Sequence, residues 1–287
     1  MIDLALIPVA GRGTSLLPLT KSQPKEMLPV GRKPVVQYVV EELIGCQINR
    51  LLFITGSGKT AIENHFDTDA ELIDYLRVKG REEELAELAF ERDEAEYFYM
   101  RQRRQLGLGH AVLCAEPFVR KQSFVVALGD TILGLRRRSE IVRRMIAIYE
   151  ENPEIGGVIA FDEVDAEEVG NYGIATPGKT IDTEGTFELR DLVEKPSVHE
   201  ASSRLAVAAR YVFSPLLFEY LHRVESDAAG DIQLTDAIRA MLLDGHRVFG
   251  VRMRPGEGRY DIGSFESYYK AFTDFATLES MGDLEKM

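Results

Sequence analysis

The strongest indication of the fold lies at residues 4–29, which read LALIPVAGRGTSLLPLTKSQPKEMLP. A short apolar run of strand length, Leu4–Val9, leads directly into a turn that contains Gly11 and Gly13. Glycine has no Cβ, so the backbone of such a turn can come close to a ligand. A glycine-rich turn after a strand also presents its N–H groups to phosphate oxygens. Lys25 follows between two prolines and adds a positive charge, so the stretch predicts a phosphate-binding turn.

Beyond this turn, the first half of the chain alternates between strand and helix periodicity. Strands are predicted at Leu51–Thr55, Tyr97–Met100 and Phe124–Leu128, and helices at Val35–Ile44, from a capping box at Thr68–Glu71 to about Phe90, and at His110–Ala115. Strands that alternate with helices pair in parallel through right-handed crossovers. We therefore expect an α/β fold with a mixed, mostly parallel central sheet and helices on both faces.

The second half is more mixed in its periodicity. Strands are predicted at Gly157–Phe161, Phe187–Val193, Leu205–Phe213 and Val248–Met253, and helices at Arg138–Glu150, Leu216–Arg223, Leu234–Leu243 and Phe265–Leu278. The sequence contains no internal repeat, low-complexity tract or Pro/Gly/Ser-rich linker. We therefore expect residues 1–287 to form a single domain.

Composition excludes several classes of protein. Of 287 residues, 45% are hydrophobic and 28% charged, which is typical of a globular enzyme. The 47 acidic residues outnumber the 34 basic ones, and the net charge of −13 disfavours nucleic acid and anionic membrane partners. No apolar run approaches the roughly 18 residues of a membrane span. Two cysteines, Cys46 and Cys114, are too few for a structural zinc site, and we expect reduced thiols in a cytoplasmic protein.

Two phosphate-binding motifs are present only in part. The dinucleotide fingerprint G-x-G-x-x-G fails because position 16 is Leu. Residues 56–60, GSGKT, end like a P-loop, but the full motif needs a glycine at position 53, where this chain has Phe. The second segment is therefore interpreted as a strand-to-helix turn, and Lys59 is expected to be solvated.

A further motif follows the predicted strand at residues 97–100. Gln102 carries a side-chain amide that can pair with the edge of a nucleobase. Gly107 opens the next helix, where the lack of a Cβ would let a flat ring lie against the backbone. An exposed glutamine at an ordinary helix start explains the same pattern equally well. The cluster of Arg101, Arg103 and Arg104 beside it favours a small anionic ligand over a polymer, because the whole protein is acidic.

Three carboxylates also lie at predicted strand ends or in a loop. Asp130 closes the strand at residues 124–128, at the edge where open α/β sheets bind ligands. Hard cations such as Mg²⁺ take one or two carboxylates together with phosphates, although Asp130 could also only cap the next turn. Asp261 lies in a Gly-containing loop before the last helix. Glu194 and Lys195 suit a sugar phosphate, or they form an exposed ion pair.

Together these segments resemble the sugar-1-phosphate nucleotidyltransferases, and within them the bacterial UTP–glucose-1-phosphate uridylyltransferase branch. The resemblance extends from Leu4 to about Phe272. The matching blocks are IPVAGRGT, PKEMLPV, PVVQYVVEE, ENHFD, RQ with GLGHAV, LGD, NYGI, LVEKP, ARYVFSP, DIQLTDAI and YDIG. The resemblance implies a Rossmann-like nucleotidyltransferase fold and a Mg²⁺-dependent reaction of UTP with glucose 1-phosphate. It also implies that residues 1–130 form a nucleotide-binding half and residues 131–287 a sugar-binding half with C-terminal helices.

The resemblance assigns a role to each matching residue. The residues implied to bind the nucleotide are Ala10, Gly11, Gly13, Gln102 and Gly107. The residues implied to be catalytic are Lys25, which would hold the triphosphate, Asp130, which would bind Mg²⁺, and Lys195, which would face the sugar phosphate. Asp261 is the second implied Mg²⁺ ligand, and Gly173, Glu194 and Lys195 are implied to bind the sugar substrate.

Two departures from the family pattern leave alternatives open. The family's G-x-G-T-R becomes Gly11-Arg12-Gly13-Thr14-Ser15, so the usual arginine is missing at position 15. The strand end reads LGD, as in glucose-1-phosphate thymidylyltransferases, where the uridylyltransferase branch more usually has LPD. A thymidylyltransferase, another sugar-1-phosphate nucleotidyltransferase, and a weakly active or regulatory nucleotide-binding paralogue therefore stay as alternatives. A dinucleotide-binding oxidoreductase fits worst.

The last helix carries an aromatic stripe at helical spacing: Phe265, Tyr268, Tyr269, Phe272, Phe275 and Leu278. Core packing explains such a stripe. A subunit interface is the alternative, and the family resemblance implies a homo-oligomer, either a dimer or a tetramer.

Overall fold

A computed structural model describes residues 2–92, 95–134 and 139–280. Its strands are β1 (Leu4–Pro8), β2 (Pro29–Val30), β3 (Lys33–Pro34), β4 (Arg50–Thr55), β5 (Glu96–Arg101), β6 (Phe124–Ala127), β7 (Thr131–Leu133), β8 (Gly157–Glu163), β9 (Gly173–Thr180), β10 (Thr186–Glu194), β11 (Leu205–Phe213), β12 (Val248–Arg252) and β13 (Arg259–Asp261). Its helices are α1 (Val35–Gly45), α2 (Thr60–Phe66), α3 (Ala70–Lys79), α4 (Glu82–Glu87), α5 (Gly107–Cys114), α6 (Glu116–Val119), α7 (Ile141–Glu151), α8 (Leu216–Leu221), α9 (Leu234–Leu243) and α10 (Phe265–Ser280).

A nine-stranded sheet forms the centre, in the order β5-β4-β1-β6-β11-β8-β12-β10-β9. The strands β10 and β11 run antiparallel to their neighbours, so the other seven share one direction. This confirms the mixed, mostly parallel sheet. Because β1, β4, β5 and β6 are parallel, their carboxyl ends meet at one edge of the sheet, where the predicted turn and Asp130 follow.

Helices cover both faces of this sheet, as the alternation of apolar residues along β1 requires. Leu4 and Leu6 are fully buried against the cluster that includes residues of α5, α8 and α9. Ala5 and Ile7 face the opposite cluster, which includes residues of α1 and α7. Burial of one such leucine or isoleucine contributes about 1.5–3 kcal/mol, so the central strand is held rigidly from both sides.

Most predicted elements are confirmed within one or two residues, and the exceptions have local causes. Asp69, not Thr68, caps α3, because its side chain accepts from the Leu72 N–H at 2.9 Å. The predicted charged helix is divided at Gly80, whose φ of +65° ends α3 before α4 begins. The helix predicted from Arg138 begins at Ile141, and Arg138 itself lies outside the described residues.

The predicted aromatic stripe on α10 has two kinds of members. Tyr268, Phe275 and Leu278 are buried in a cluster with the turn residues Leu16 and Leu28. Tyr269 and Phe272 are exposed, so core packing explains only part of the stripe. No helix among the described residues is long and apolar enough to cross a membrane. Neither Cys46 nor Cys114 forms a disulfide, and both are half-buried.

Candidate functional site

The glycine-rich turn after β1 is shaped around Gly13. This residue has a φ of +67°, which glycine adopts without strain, and its carbonyl accepts from Thr20 Oγ1 at 2.6 Å. A Cβ at Gly13 would lie 3.5 Å from the Lys25 Cβ. Lys25 begins a 3₁₀ turn, and the Gly11 side of the loop faces open space. The turn therefore brings backbone N–H groups and the Lys25 ammonium to the same edge of the sheet.

The candidate base-binding residues lie where β5 runs into α5. Gln102 is buried, and its amide nitrogen donates to the Gly107 carbonyl at 3.1 Å and lies 2.9 Å from His110 Nδ1. The alternative of an exposed glutamine is therefore wrong. Gly107 has a φ of +86°, and a Cβ there would lie 2.7 Å from the Ile232 carbonyl oxygen. That side of Gly107 is filled by the backbone of Ile232, so the expected reason for this glycine, room for a flat ring, is not what the packing shows.

Gln105 was not identified from the sequence, although it ties the two nucleotide segments together. Its amide nitrogen donates to the Ala10 carbonyl at 2.6 Å, and its carbonyl oxygen accepts from Arg12 Nε. Gly56 completes the junction, because a Cβ there would lie 2.8 Å from the Ala10 carbonyl oxygen. The glycine of the P-loop-like segment thus permits close packing of two strand ends.

The position of the lysine in that P-loop-like segment differs from the prediction that it is solvated. Lys59 is buried, not solvated, and its Nζ lies 2.7 Å from Glu26 Oε2, which is also buried. Burial raises the pKa of Glu26, although Lys59 and Lys25 oppose that shift. The pair joins the start of α2 to the 3₁₀ turn of Lys25, so it fixes the position of the turn that carries the Lys25 ammonium.

A small second sheet brings the two predicted metal ligands together. The strands β7 and β13 pair antiparallel, with Thr131 opposite Asp261, and the Ile262 N–H donates to the Asp130 carbonyl at 2.9 Å. Lys25 Nζ forms an ion pair with Asp130 Oδ2, and each side chain is 18% exposed. Residues more than 100 positions apart in the chain therefore converge on one cluster, which we call the Lys25–Asp130–Asp261 cluster.

The charges in this cluster perturb one another strongly. Burial disfavours the charged form of Lys25, but Asp130, Glu26 and Asp261 outweigh it, and the pKa of Lys25 is raised. Burial would raise the pKa of Asp130, and the ammonium of Lys25 reverses this, so the pKa of Asp130 is lowered. Burial and the Asp130 charge together raise the pKa of Asp261 to about 6. Crowded carboxylates of this kind mark a site that favours an added cation.

A buried ion pair holds the strand behind Asp130. Arg210 is fully buried, and its Nη2 lies 2.6 Å from Glu42 Oε2 and donates to the Thr131 carbonyl at 2.9 Å. Arg210 follows Ala209, whose φ of +59° belongs to an irregularity where β11 shifts register against β8. The guanidinium thereby connects α1, β11 and β7 at the residue next to Asp130.

The predicted sugar-binding residues also lie together. Glu194 and Gly173 are register partners between β10 and β9, and a Cβ at Gly173 would lie 3.4 Å from Glu194 Oε2. Thr235, at the start of α9, donates to the same oxygen at 2.7 Å. Lys195 has a φ of +44°, and its exposed ammonium lies 3.7 Å from Glu194 Oε1. Glu194 is only 25% exposed, so this is not a freely solvated ion pair.

Tyr211 and Arg259 lie between the sugar residues and the acidic cluster. Burial raises the pKa of Tyr211, and the charges of Glu194 and Asp130 act in the same direction. The side chain of Arg259 is almost fully buried, and its Cζ lies 4.1 Å from the centre of the Tyr172 ring. Its positive charge partly opposes the upward shift in the pKa of Asp261. The sequence signal for Arg259 was its place directly before the YDIG block, two positions before Asp261.

The donor set of the cluster fits a hard divalent cation. Asp130 and Asp261 supply carboxylate oxygens at one edge of the sheet. Within the described ranges, no group of three or more His, Cys, Asp or Glu side chains could hold a metal ion. A site of two carboxylates suits Mg²⁺, which takes its remaining ligands from water and substrate phosphates.

The chain is similar to known proteins both in sequence and in fold. A family model described as nucleotidyl transferase matches residues 4–277. The chain is 43% identical over 280 residues to the UTP–glucose-1-phosphate uridylyltransferase YngB of Bacillus subtilis, covering 96% of this chain and 89% of that protein. A UDP-glucose pyrophosphorylase complexed with UDP-glucose has a TM-score of 0.86 at 32% identity, covering 96% of this chain and 99% of that one. A UTP-bound UGPase from Acinetobacter baumannii has a TM-score of 0.85 at 36% identity, covering 97% and 94%.

Proposed function

We propose that this chain, which belongs to the nucleotidyl transferase family, transfers UMP from UTP to glucose 1-phosphate. The products are UDP-glucose and pyrophosphate. The observation that carries the proposal is the Lys25–Asp130–Asp261 cluster at the edge of the sheet, between the glycine turn and Glu194. The named relatives support UTP and glucose as the nucleotide and the sugar.

The reaction needs alignment and charge neutralisation more than it needs a base. The phosphate of glucose 1-phosphate is already anionic at neutral pH, so it can attack the α-phosphorus of UTP without losing a proton. Pyrophosphate then leaves in line with the attack. Such a transfer is accelerated by positioned groups that neutralise the phosphate oxygens. When bound, Mg²⁺ would add charge neutralisation at those oxygens.

In this assignment the glycine turn holds the nucleotide. Backbone N–H groups of Gly11 and Gly13 face the phosphates, and Lys25 exchanges its contact with Asp130 for contacts with the triphosphate. That exchange frees the carboxylates of Asp130 and Asp261 to hold Mg²⁺. Before the nucleotide binds, the neighbouring carboxylates raise the pKa of Lys25 and keep its ammonium charged.

The base and the sugar are held on opposite sides of the cluster. Ala10, Gln102 and Gly107 contact the uracil and its ribose, because they lie at the ends of β1 and β5 and the start of α5. Glu194 accepts hydrogen bonds from hexose hydroxyls, and Gly173, whose Cβ side is filled by Val207, Glu194 and Thr235, contacts the hexose through its backbone. Lys195 contacts the sugar phosphate. Residues 1–130 thus carry the nucleotide and residues 131–287 the sugar, in a single domain.

Arg12 is the candidate to replace the arginine missing at position 15. Its Nε is engaged by Gln105, which leaves the two terminal nitrogens of the guanidinium for phosphate oxygens. We propose that this arrangement supports an active enzyme and not a regulatory paralogue. The protein acts in the cytoplasm as a homo-oligomer, which agrees with two cysteines that form no disulfide and with exposed Tyr269 and Phe272 on α10.

The test is a pyrophosphate-release assay with a panel of nucleoside triphosphates and sugar 1-phosphates, with and without Mg²⁺. We expect release with UTP and glucose 1-phosphate only when Mg²⁺ is present. Faster release with dTTP would assign a thymidylyltransferase. No release with any pair, combined with tight nucleotide binding, would favour the regulatory paralogue.

A further inference from the structure

Three arginines at the carboxyl end of β5 have no part in the proposed reaction. Arg101 is the last residue of β5, and Arg103 and Arg104 follow in the loop before α5. All three are exposed, and within the described residues none of them has a carboxylate within 4.0 Å. Some surface arginines elsewhere are ion-paired, such as Arg239 with Asp191 and Arg247 with Glu188, and what distinguishes this trio is that its three unpaired guanidinium groups lie next to one another. A protein with a net charge of −13 therefore leaves three neighbouring guanidinium groups without an acidic partner.

These arginines surround a cavity. Its volume is about 530 Å³, and its lining consists of Arg101, Arg103, Arg104, His110 and Cys114. Small-molecule sites typically measure about 300–1,000 Å³, so the space suits a ligand larger than a single phosphate ion. None of the residues assigned to the nucleotide, metal or sugar lines it.

The separation from the nucleotide site follows from the geometry of β5. Successive side chains of a strand point to opposite sides, so Arg101 and Gln102 face different surroundings. Gln102 is buried and contacts the Gly107 carbonyl, whereas Arg101 is exposed at the edge strand of the sheet. The two sites nevertheless touch, because Gln102 Nε2 lies 2.9 Å from His110 Nδ1. His110 thus contacts the base-binding residue on one side and lines the cavity on the other.

We propose that this cavity is a second binding site, for a phosphorylated small molecule, and that its occupant affects nucleotide binding through His110 and Gln102. Guanidinium groups bind phosphate through two parallel hydrogen bonds, and three of them suit a ligand with more than one negative charge. A nucleic acid is disfavoured, because the acidic surface beyond the cavity would repel a long polyanion. The site is distinct from the proposed catalytic site, and ligand binding there does not depend on that assignment, whereas its effect on nucleotide binding rests on the proposed role of Gln102.

Cys114 provides a direct reporter of occupancy. Burial raises the pKa of its thiol, so alkylation with iodoacetamide is run at high pH and followed by peptide mass spectrometry. Cys46 is half-buried, does not line the cavity, and serves as an internal control. The probe is tripolyphosphate, added while UDP-glucose is present in excess to fill the nucleotide site. At ten times its Kd, about a tenth of the sites stay empty, so alkylation of Cys114 should slow about tenfold while that of Cys46 does not change.

Two double variants locate the effect. Arg103→Gln with Arg104→Gln should abolish protection of Cys114. Arg120→Gln with Lys121→Gln removes the same charge from exposed residues outside the lining, and protection should persist. Tripolyphosphate also competes at the catalytic site, but equally in every variant. A change of the KM for UTP that is larger in the wild type than in Arg103→Gln/Arg104→Gln therefore reports the link through His110.

Several results would overturn the proposal. Cys114 alkylation that tripolyphosphate does not slow would exclude the site, and so would equal protection in both double variants. A Cys114 that resists alkylation at high pH without any probe, while Cys46 reacts, would exclude an open cavity at this position. Equal changes in KM in the wild type and the arginine variant would exclude the link to nucleotide binding. None of these outcomes depends on turnover of glucose 1-phosphate except the last.

Discussion

Replacing Asp130 by asparagine removes one carboxylate charge while keeping the shape of the side chain. Asp130 is ion-paired with Lys25 and only 18% exposed, so solvent screens its charge weakly. The loss of one charge about 4 Å from a cation, at an effective dielectric constant of about 20, is worth about 4 kcal/mol. Part of this is recovered because Lys25 no longer competes, so we expect pyrophosphate release to fall about 10²–10³-fold, as for loss of one stabilising group.

The fold should survive this substitution, because the negative charges of Glu26 and Asp261 still lie near the Lys25 ammonium and stabilise it. We expect the free energy of unfolding to fall by about 1–2 kcal/mol, which lowers Tm by a few degrees. Asp191→Asn is the matched control, since it removes a carboxylate from a surface pair with Arg239. The control should stay within about twofold of the wild-type rate, in line with the small worth of surface pairs. A wild-type rate in Asp130→Asn would refute the placement of Asp130 in the reaction.

Three further predictions concern other parts of the site. Because the pKa of Asp261 is raised to about 6, protons should compete with Mg²⁺ there. Calorimetric Mg²⁺ affinity should therefore fall by up to about tenfold per pH unit below pH 6, and Asp261→Asn should flatten this slope. Gly107→Ala should lose about 2–4 kcal/mol in urea unfolding, because strain at a φ of +86° adds to a clash with a neighbouring carbonyl oxygen. Gly230→Ala has the same φ in open space and should lose only about 1–2 kcal/mol; equal losses would contradict the packing argument. Arg210→Met should destabilise the fold by about 3–5 kcal/mol, and adding Glu42→Leu should recover part of that; a double variant as costly as the sum would exclude the buried pair as the cause.

The parts of the fold that follow from the sequence are those with strong periodicity. The buried strand Leu205–Phe213 and the amphipathic helix Leu234–Leu243 are predicted to the residue, because their apolar patterns end abruptly. The strand Gly173–Thr180 is missed, since Pro177 and Gly178 interrupt its pattern near the edge of the sheet. The short strands β7 and β13 are also missed, although they bring Asp130 and Asp261 together. Nothing in three-residue segments distinguishes them from loops; only their pairing does.

In the site, as in the fold, residues with a local sequence signal are predicted, whereas contacts between distant parts of the chain are not. Asp130 stands out because it follows a strand-like run, and Lys25 because it lies between two prolines after the glycine turn, yet their ion pair spans 105 positions and has no local signature. The interpretation of Lys59 as solvated is wrong for the same reason, because its partner Glu26 is 33 positions away. Gln105 lies in no matching block, and Arg210 lies in the ARYVFSP block but is given no role by it. Their roles are set by distant carbonyl and carboxylate oxygens, which spacing along the chain does not reveal.

The most direct test of the central claim combines product identity with the site. Purified protein is incubated with UTP, glucose 1-phosphate and Mg²⁺, and the products are followed by phosphorus NMR in parallel for the wild type, Asp130→Asn and Asp191→Asn. We predict UDP-glucose and pyrophosphate in equal amounts from the wild type and Asp191→Asn, and almost none from Asp130→Asn over the same time. Absence of UDP-glucose from the wild type, or its formation at the wild-type rate by Asp130→Asn, would contradict the account.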